Sequence, residues 1–121
     1  YMAIPIKIKK TGTIADVRAT EATVKEKIQT LSNLIPKNDT TALAEVELEE
    51  LKERRGGYRV EINFSSEGDM FRVEAKRPTV RIALDAALED LRRELRRRKT
   101  KKVDFARNEA RKAKKHLKGG S

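Results

Sequence analysis

The sequence has no cysteine and one histidine, and these two scarcities exclude much of the chemistry that proteins perform. Without cysteine the chain has no disulfide, no thiol nucleophile and no thiolate metal site, which fits a reducing compartment. The single histidine, His116, rules out a histidine-based triad or a metal site with several histidines within one chain. P-loop and GxGxxG patterns are also missing. We therefore expect no enzyme, no cofactor and no metal site.

Long apolar runs are missing as well. No segment reaches the length that a membrane-spanning helix needs, and no N-terminal stretch is typical of a signal peptide. Charged residues make up 40% of the 121 residues and apolar residues 37%. Because the apolar residues recur in periodic segments, the chain is predicted to fold rather than to remain disordered. We expect a soluble cytoplasmic domain that does not bind a membrane.

Basic residues outnumber acidic residues by 29 to 19, and the whole excess lies at one end of the chain. Residues 1–90 carry 15 basic and 16 acidic side chains, whereas residues 91–121 carry 14 and 3. A positive field this concentrated attracts polyanions, so nucleic acid is the leading partner class. The alternative is a disordered basic tail that serves solubility.

The spacing of apolar residues predicts four strands and two helices in the order βαβββα. Alternation with period two indicates strands over residues 4–9, 42–51, 58–65 and 71–76. A first helix over about residues 16–34 has an apolar face, and a second helix starting near Pro78 has another. The first face consists of Val17, Val24, Ile28, Leu31 and Ile35. The second consists of Val80, Leu84, Ala87, Leu88, Leu91 and Leu95.

Both helices must cover the one apolar face of the sheet, which predicts an α/β (α+β) two-layer sandwich. The first two strands flank a helix and should be parallel, whereas the later hairpins are antiparallel. Burial should end at Arg98, where a charge enters the apolar stripe of the second helix. We place the domain at residues 4–99 and a basic, helix-prone tail, ordered on a partner, at 100–118. Residues 119–121, Gly-Gly-Ser, are interpreted as an artificial remnant.

The open face of the predicted sheet has charged side chains of alternating sign. Its neighbouring strands place Lys7 and Lys9 beside Glu45, Glu47 and Glu49. Opposite charges on adjacent strands suit cross-strand pairs. The face lacks the aromatic side chains on which RNA-recognition sheets stack bases. We interpret it as a solvated structural surface.

The second helix is the predicted phosphate-binding surface. Four arginines lie one turn apart in pairs, and further basic residues continue the track: Arg92, Arg93, Arg96 and Arg97, then Lys99, Lys101, Lys102 and Arg107. Guanidinium groups suit bidentate phosphate contact. Like charges one turn apart repel, and Glu94 is nearly the only acid in the stretch, so a bound polyanion is expected to relieve the repulsion. A membrane-surface helix would need bulkier apolar residues opposite the charges.

Two segments resemble the helices of one known family. Residues 82–95 read IALDAALEDLRREL and are followed by RRRK. They are similar to the closing helix of the ribosome hibernation-promoting factor family, also called ribosome-associated inhibitors or sigma-54 modulation proteins. Residues 24–31, VKEKIQTL, are similar to the family's first helix. The order and spacing of elements agree over residues 4–102, but residues 78–81, PTVR, replace the family's Asp-Met-Tyr or Asp-Leu-Tyr.

The resemblance implies a domain that binds between the head and body of the small ribosomal subunit, in the path of tRNA and mRNA. It would hold idle ribosomes inactive by contacting rRNA, as a monomer without a small-molecule substrate. The residues carried over by position are Lys25 and Lys27 on the first helix and Arg92, Arg93, Arg96, Arg97, Lys99 and Lys101 on the second. The chain would be a short form without the second domain of long members.

Two other functions remain open. A general double-stranded RNA or DNA-binding module would bind naked duplex as tightly as it binds ribosomal subunits. A protein-interaction domain that uses its charged faces would form complexes in a nuclease-treated lysate. Competition with duplex RNA separates the first from a ribosome-specific factor, and nuclease treatment separates the second.

Overall fold

A computed structural model describes residues 3–119 of the chain, except for the side chains at 103, 104, 106 and 112–119. The elements are β1 (Ile6–Thr11), α1 (Val17–Gln29), a 3-10 turn (Thr30–Leu34), β2 (Leu43–Glu50), β3 (Tyr58–Ser66), β4 (Asp69–Arg77) and α2 (Val80–Gly119). The predicted order βαβββα is confirmed, and α2 continues as one helix through the region predicted as a tail.

The four strands form one sheet in the order β1-β2-β3-β4. β1 pairs parallel with β2 and the other two pairs are antiparallel, as predicted. Pro5 lies just before the edge strand β1, where its missing N–H leaves no gap in a ladder. A two-residue turn, Glu67-Gly68, joins β3 to β4. Both of its residues have positive φ, 49° and 81°, which matches the right-handed twist of a hairpin.

Both helices pack on one face of the sheet and enclose a single core. Its largest fully buried side chains are Phe64, Ile28, Leu31, Leu48, Ile62, Leu84, Leu88, Leu91, Leu95, Val24, Val46 and Val60. The predicted α+β two-layer sandwich is confirmed, and the opposite face of the sheet is left open. The helix spacing and the strand alternation therefore located most of this core correctly.

One core position is predicted wrongly. Val17 is 37% exposed, although its spacing places it on the apolar face of α1. It is the first residue of α1, which the chain enters through a left-handed Asp16 with φ 46°. Ile14, in the loop before this turn, is buried in the core instead. The helical period thus holds only from the second turn onward.

Burial along α2 ends at Arg98, as predicted, since residues 99–102 are exposed, but Arg98 itself is partly buried, which the prediction missed. The Arg98 side chain is 9% exposed, and its guanidinium carbon lies 5.2 Å from the centre of the Phe71 ring. Nη1 donates to the carbonyl of Ser66 at 2.8 Å, and Nη2 donates to Ser66 Oγ at 3.0 Å. The hairpin between β3 and β4 supplies acceptors and an aromatic face, so a charged side chain covers the end of the core.

A small cluster of polar side chains binds the β3–β4 hairpin to the loop before β2. The carboxylate of Asp39 accepts hydrogen bonds from Ser66 Oγ and from the backbone N–H of Thr41. Burial raises the pKa of Asp39, but these hydrogen bonds and the nearby Arg98 outweigh it, so the pKa lies below its ordinary value. The cluster thus joins the loop before β2, the hairpin and α2.

Candidate nucleic-acid interface

Helix α2 is much longer than the sandwich that it covers. Thr79 caps its start by accepting a hydrogen bond from the Ile82 N–H at 3.2 Å. At a rise of about 1.5 Å per residue its 40 residues span about 60 Å. Beyond Lys102, every residue whose burial the structure describes is exposed. Arg107 and Arg111, the described basic residues beyond Lys102, therefore lie away from the core.

Six residues of α2 line a groove of about 420 Å³ on the side that faces away from the sheet: Glu89, Arg93, Arg96, Arg97, Thr100 and Lys101. We call this set the arginine face. At about 100° per residue, their spacing keeps all six on one side of the helix. The sequence prediction omits Glu89 and Thr100, although helical spacing alone would have included them. The face contains four cations and one acid.

Two arginines of this face have an acidic neighbour on the same helix. Arg93 pairs with Asp90 at 3.4 Å, and Arg97 pairs with Glu94 at 3.1 Å. All four side chains are about half exposed, and such pairs contribute about 1 kcal/mol or less. Glu94 is the acid that the sequence prediction names within this stretch, and Asp90, just before the stretch, supplies a second one. The arginine face nevertheless keeps a net positive charge.

The other two cations of the arginine face pair with no acid whose side chain the structure describes. Within the part of the chain whose side chains are described, Arg96 and Lys101 form no ion pair and no hydrogen bond. The same holds for Lys99 and Arg107, which are also exposed. Four of the ten predicted site residues therefore present charges that no described group neutralises.

Two predicted site residues join α2 to α1 and to the 3-10 turn that follows α1. Arg92 is half-buried, and its Nη2 donates to Thr30 Oγ1 at 3.2 Å. Lys27 of α1 forms an ion pair with Asp85 of α2. The structure therefore gives both side chains a role in holding the helices together.

Two further predicted residues lie near acids. Lys102 pairs with Glu67 of the β3–β4 turn at 2.8 Å. Lys25 is exposed on α1 near Glu21. A hydrogen bond from Lys10 lowers the pKa of the Glu21 carboxyl, and Lys25 adds to this effect. The predicted set is thus divided between α1, the arginine face and the end of the sandwich.

The open face of the sheet has a different electrostatic arrangement. Arg59 of β3 donates to Glu61 at 2.6 Å and to Glu47 at 2.9 Å, and it also pairs with Glu49 and Glu74. The hydrogen bond from Arg59 holds the pKa of Glu61 below its ordinary value, although burial opposes the shift. The same contact raises the pKa of Arg59. The interpretation of this face as a solvated structural surface holds for its structural role, but Arg59 and Glu61 at its centre are 14% and 8% exposed and are not solvated. Lys7 and Lys9 form no ion pair with any described residue.

Neither a metal site nor a membrane span is found in the part of the chain that the structure describes. No group of three or more histidine, cysteine, aspartate or glutamate side chains there could hold a metal ion. No described helix is long and apolar enough to cross a bilayer. The candidate site is the arginine face together with the exposed Lys99 and Arg107 on the same helix.

The fold and this site define a small α+β sandwich that presents one long basic helix. A family model described as sigma 54 modulation protein / S30EA ribosomal protein matches residues 14–103. Because the match covers about three quarters of the chain, the protein belongs to this family. The family consists of non-catalytic, ribosome-associated factors. Membership confirms both the resemblance and the expectation that the chain is not an enzyme.

Solved structures show the same fold. The N-terminal domain of Protein Y from Thermus thermophilus superposes with a TM-score of 0.66 at 21% identity, covering 78% of this chain and 98% of that one. A ribosomal subunit interface protein from Coxiella burnetii gives 0.62 at 14% identity, covering 80% and 99%. No curated protein sequence matches significantly. At these identities the two structures establish the fold alone.

Proposed function

We propose that this protein binds the small ribosomal subunit through α2, contacts rRNA phosphates with the arginine face, and inhibits translation by occupying the path of tRNA and mRNA. The observation that carries the proposal is the positive charge left on the arginine face in a family of ribosome-associated factors. Lys25, Lys99 and Arg107 extend the contact beyond this face. The protein works in the cytoplasm as a monomer and needs no cofactor.

Binding requires little rearrangement within the protein. Arg96 and Lys101 are exposed, and the Arg93 and Arg97 pairs are weak enough to exchange for phosphate oxygens. Arginine forms bidentate contacts with phosphate that are stronger than those between neutral groups. The phosphates that these side chains neutralise would release counterions, which makes the affinity depend steeply on salt.

Contacts within the chain hold α2 in a fixed direction. Arg92 binds Thr30, Arg98 binds the β3–β4 hairpin, and Lys102 pairs with Glu67. A helix fixed at these points carries the arginine face as a preformed surface, so less conformational entropy is lost when it binds. Inhibition then follows from steric occlusion, because a bound protein excludes tRNA and mRNA from the same space.

Co-sedimentation with purified small subunits at physiological salt tests the proposal. We expect the full chain to sediment with the subunits, to resist competition by excess duplex RNA, and to reduce translation in a reconstituted system. Added mRNA and tRNA should displace it. If duplex RNA competes as well as subunits do, the protein is a general duplex-binding module. If it binds partners in nuclease-treated lysate but not subunits, it is a protein-interaction domain, and either result overturns the proposal.

A further inference from the structure

A cleft of about 180 Å³ lies where the 3-10 turn meets α2. One wall consists of Leu34, Ile35 and Pro36, at the end of the turn. The other wall consists of Arg98, Lys99 and Lys102 of α2. The guanidinium of Arg98 is held at the hairpin, so its aliphatic stem is the part available to the cleft. The cleft thus has an apolar interior and a basic rim.

An exposed aromatic residue lies close to this cleft along the helix. Phe105 is 67% exposed. It follows Lys102 by three residues and Arg98 by seven, which places it on the same side of α2, about one turn beyond the cleft. Lys101, at the edge of the arginine face, precedes Phe105 by four residues, so the ring also lies next to that edge. The ring is not covered by the core, so its face is available to a ligand.

The size and charge of this surface restrict what it can bind. Apolar cavities of about 150 Å³ can hold a benzene ring, so a cleft of about 180 Å³ admits one planar ring system but no base pair. Lys99 at the rim forms no ion pair with any described residue, and the Lys102 pair with Glu67 is half exposed. A ligand that combines a flat apolar ring with a negative group matches both features.

We propose that this cleft and Phe105 form a binding site for an unpaired nucleotide of RNA. The base enters the cleft, its phosphate contacts Lys99, and the neighbouring base stacks on Phe105. Proteins recognise unpaired RNA in this way, by stacking exposed bases on aromatic groups while cations bind the backbone. The inference rests on the proposed function in that the partner is RNA, and it adds a preference for unpaired over paired nucleotides.

Binding of short RNAs to the full chain tests this site. The probes are a single-stranded RNA of about twelve nucleotides, within the usual site sizes for such proteins, and a duplex of the same length. The single strand carries the fluorescent base 2-aminopurine. Phe105→Ala should weaken single-strand binding about tenfold, as expected for the loss of one base–aromatic stack, and should reduce the fluorescence change. Duplex binding should stay within about twofold, because phosphate contacts dominate it.

A matched control and a second variant complete the design. Ile82→Ala removes another exposed apolar side chain of α2, 51% exposed and far from the cleft, and should change neither affinity. Lys99→Gln tests the rim without touching the core, and should weaken single-strand binding more than duplex binding.

Three results would overturn the inference. The first is that Phe105→Ala and Lys99→Gln both bind the single-stranded RNA as tightly as the wild type does. In that case, binding of the protein to small subunits would still support the proposed function. An equal loss for both probes would show that the surface contributes charge and not base recognition. If Phe105→Ala binds the oligonucleotide normally but loses affinity for small subunits, the surface contacts a ribosomal protein instead.

Discussion

The open face of the sheet and the arginine face of α2 both contain arginine and glutamate, yet they differ in how far charge is neutralised. On the sheet, Arg59 contacts glutamates of three strands. On the helix, Arg93 and Arg97 each contact one acid, and no described group pairs with Arg96. A central strand has neighbours on both sides at about 5 Å, whereas a helix surface offers only residues one turn away. Similar composition therefore yields a stabilising surface in one place and a binding surface in the other.

The largest expected effect comes from removing positive charge from the arginine face. Replacing Arg93, Arg96 and Arg97 by Gln removes three charges from the arginine face, and we expect affinity for small subunits to fall about a hundredfold at physiological salt. Each lost phosphate contact forfeits its share of counterion release. Fluorescence anisotropy with labelled protein measures the loss.

The matched control removes three charges from the sheet. Lys7, Lys9 and Lys76 are exposed on its open face, and replacing them by Gln gives the same change in net charge. We expect affinity to change by less than about threefold, since only long-range attraction is affected. Equal losses in the two variants would mean that net charge, and not the arginine face, determines binding.

A smaller effect, on stability and not on binding, is expected when Arg59 is removed from the open face of the sheet. Arg59→Met removes one of the two arginines that pair with Glu61 and leaves only Arg72. The Glu61 side chain is 8% exposed, so water cannot fully replace the lost donor. We expect the free energy of unfolding to fall by about 1–2 kcal/mol, because a buried acceptor loses its charged donor. Urea denaturation measures this. The variant should bind small subunits like the wild type, and a large loss of affinity would assign the sheet a role in binding.

The smallest expected effect is on how the stability of the folded protein depends on pH. The Arg59 contact lowers the pKa of Glu61 in the folded protein, so its contribution to stability is complete above the unfolded pKa of about 4.5. The contribution is lost as the pH falls through the folded pKa. Denaturation curves between pH 6 and about pH 3 should therefore show a steeper loss of stability in wild type than in Glu61→Gln. Parallel curves would contradict a role for Glu61.

Much of the fold could be predicted because its elements are regular. Strand alternation from Ala44 to Leu48 and helix spacing from Leu84 to Leu95 depend only on local periods, and both are confirmed. Arg98 could not be predicted, because its burial depends on a hairpin more than thirty residues away along the chain. The predicted burial of Val17 was wrong for a related reason. The path by which the chain enters α1 determines whether the first turn of the helix reaches the core, and helical spacing does not contain that path.

The candidate site was only partly predictable. The arginine spacing alone places Arg93, Arg96 and Arg97 on one side of α2. The contacts of Lys27 with Asp85, Arg92 with Thr30 and Lys102 with Glu67 join separate elements, so no local pattern indicates them. The cleft beside Pro36 likewise exists only where two distant segments meet.

The salt dependence of binding to small subunits tests the central claim most directly. On a plot of log affinity against log salt concentration, each neutralised phosphate contributes a slope of about −0.9. If the arginine face binds phosphates, replacing Arg93, Arg96 and Arg97 by Gln should make the slope shallower by about 2.7, while the sheet variant keeps the wild-type slope. An unchanged slope in the helix variant would contradict the assignment of α2 as the RNA-binding surface.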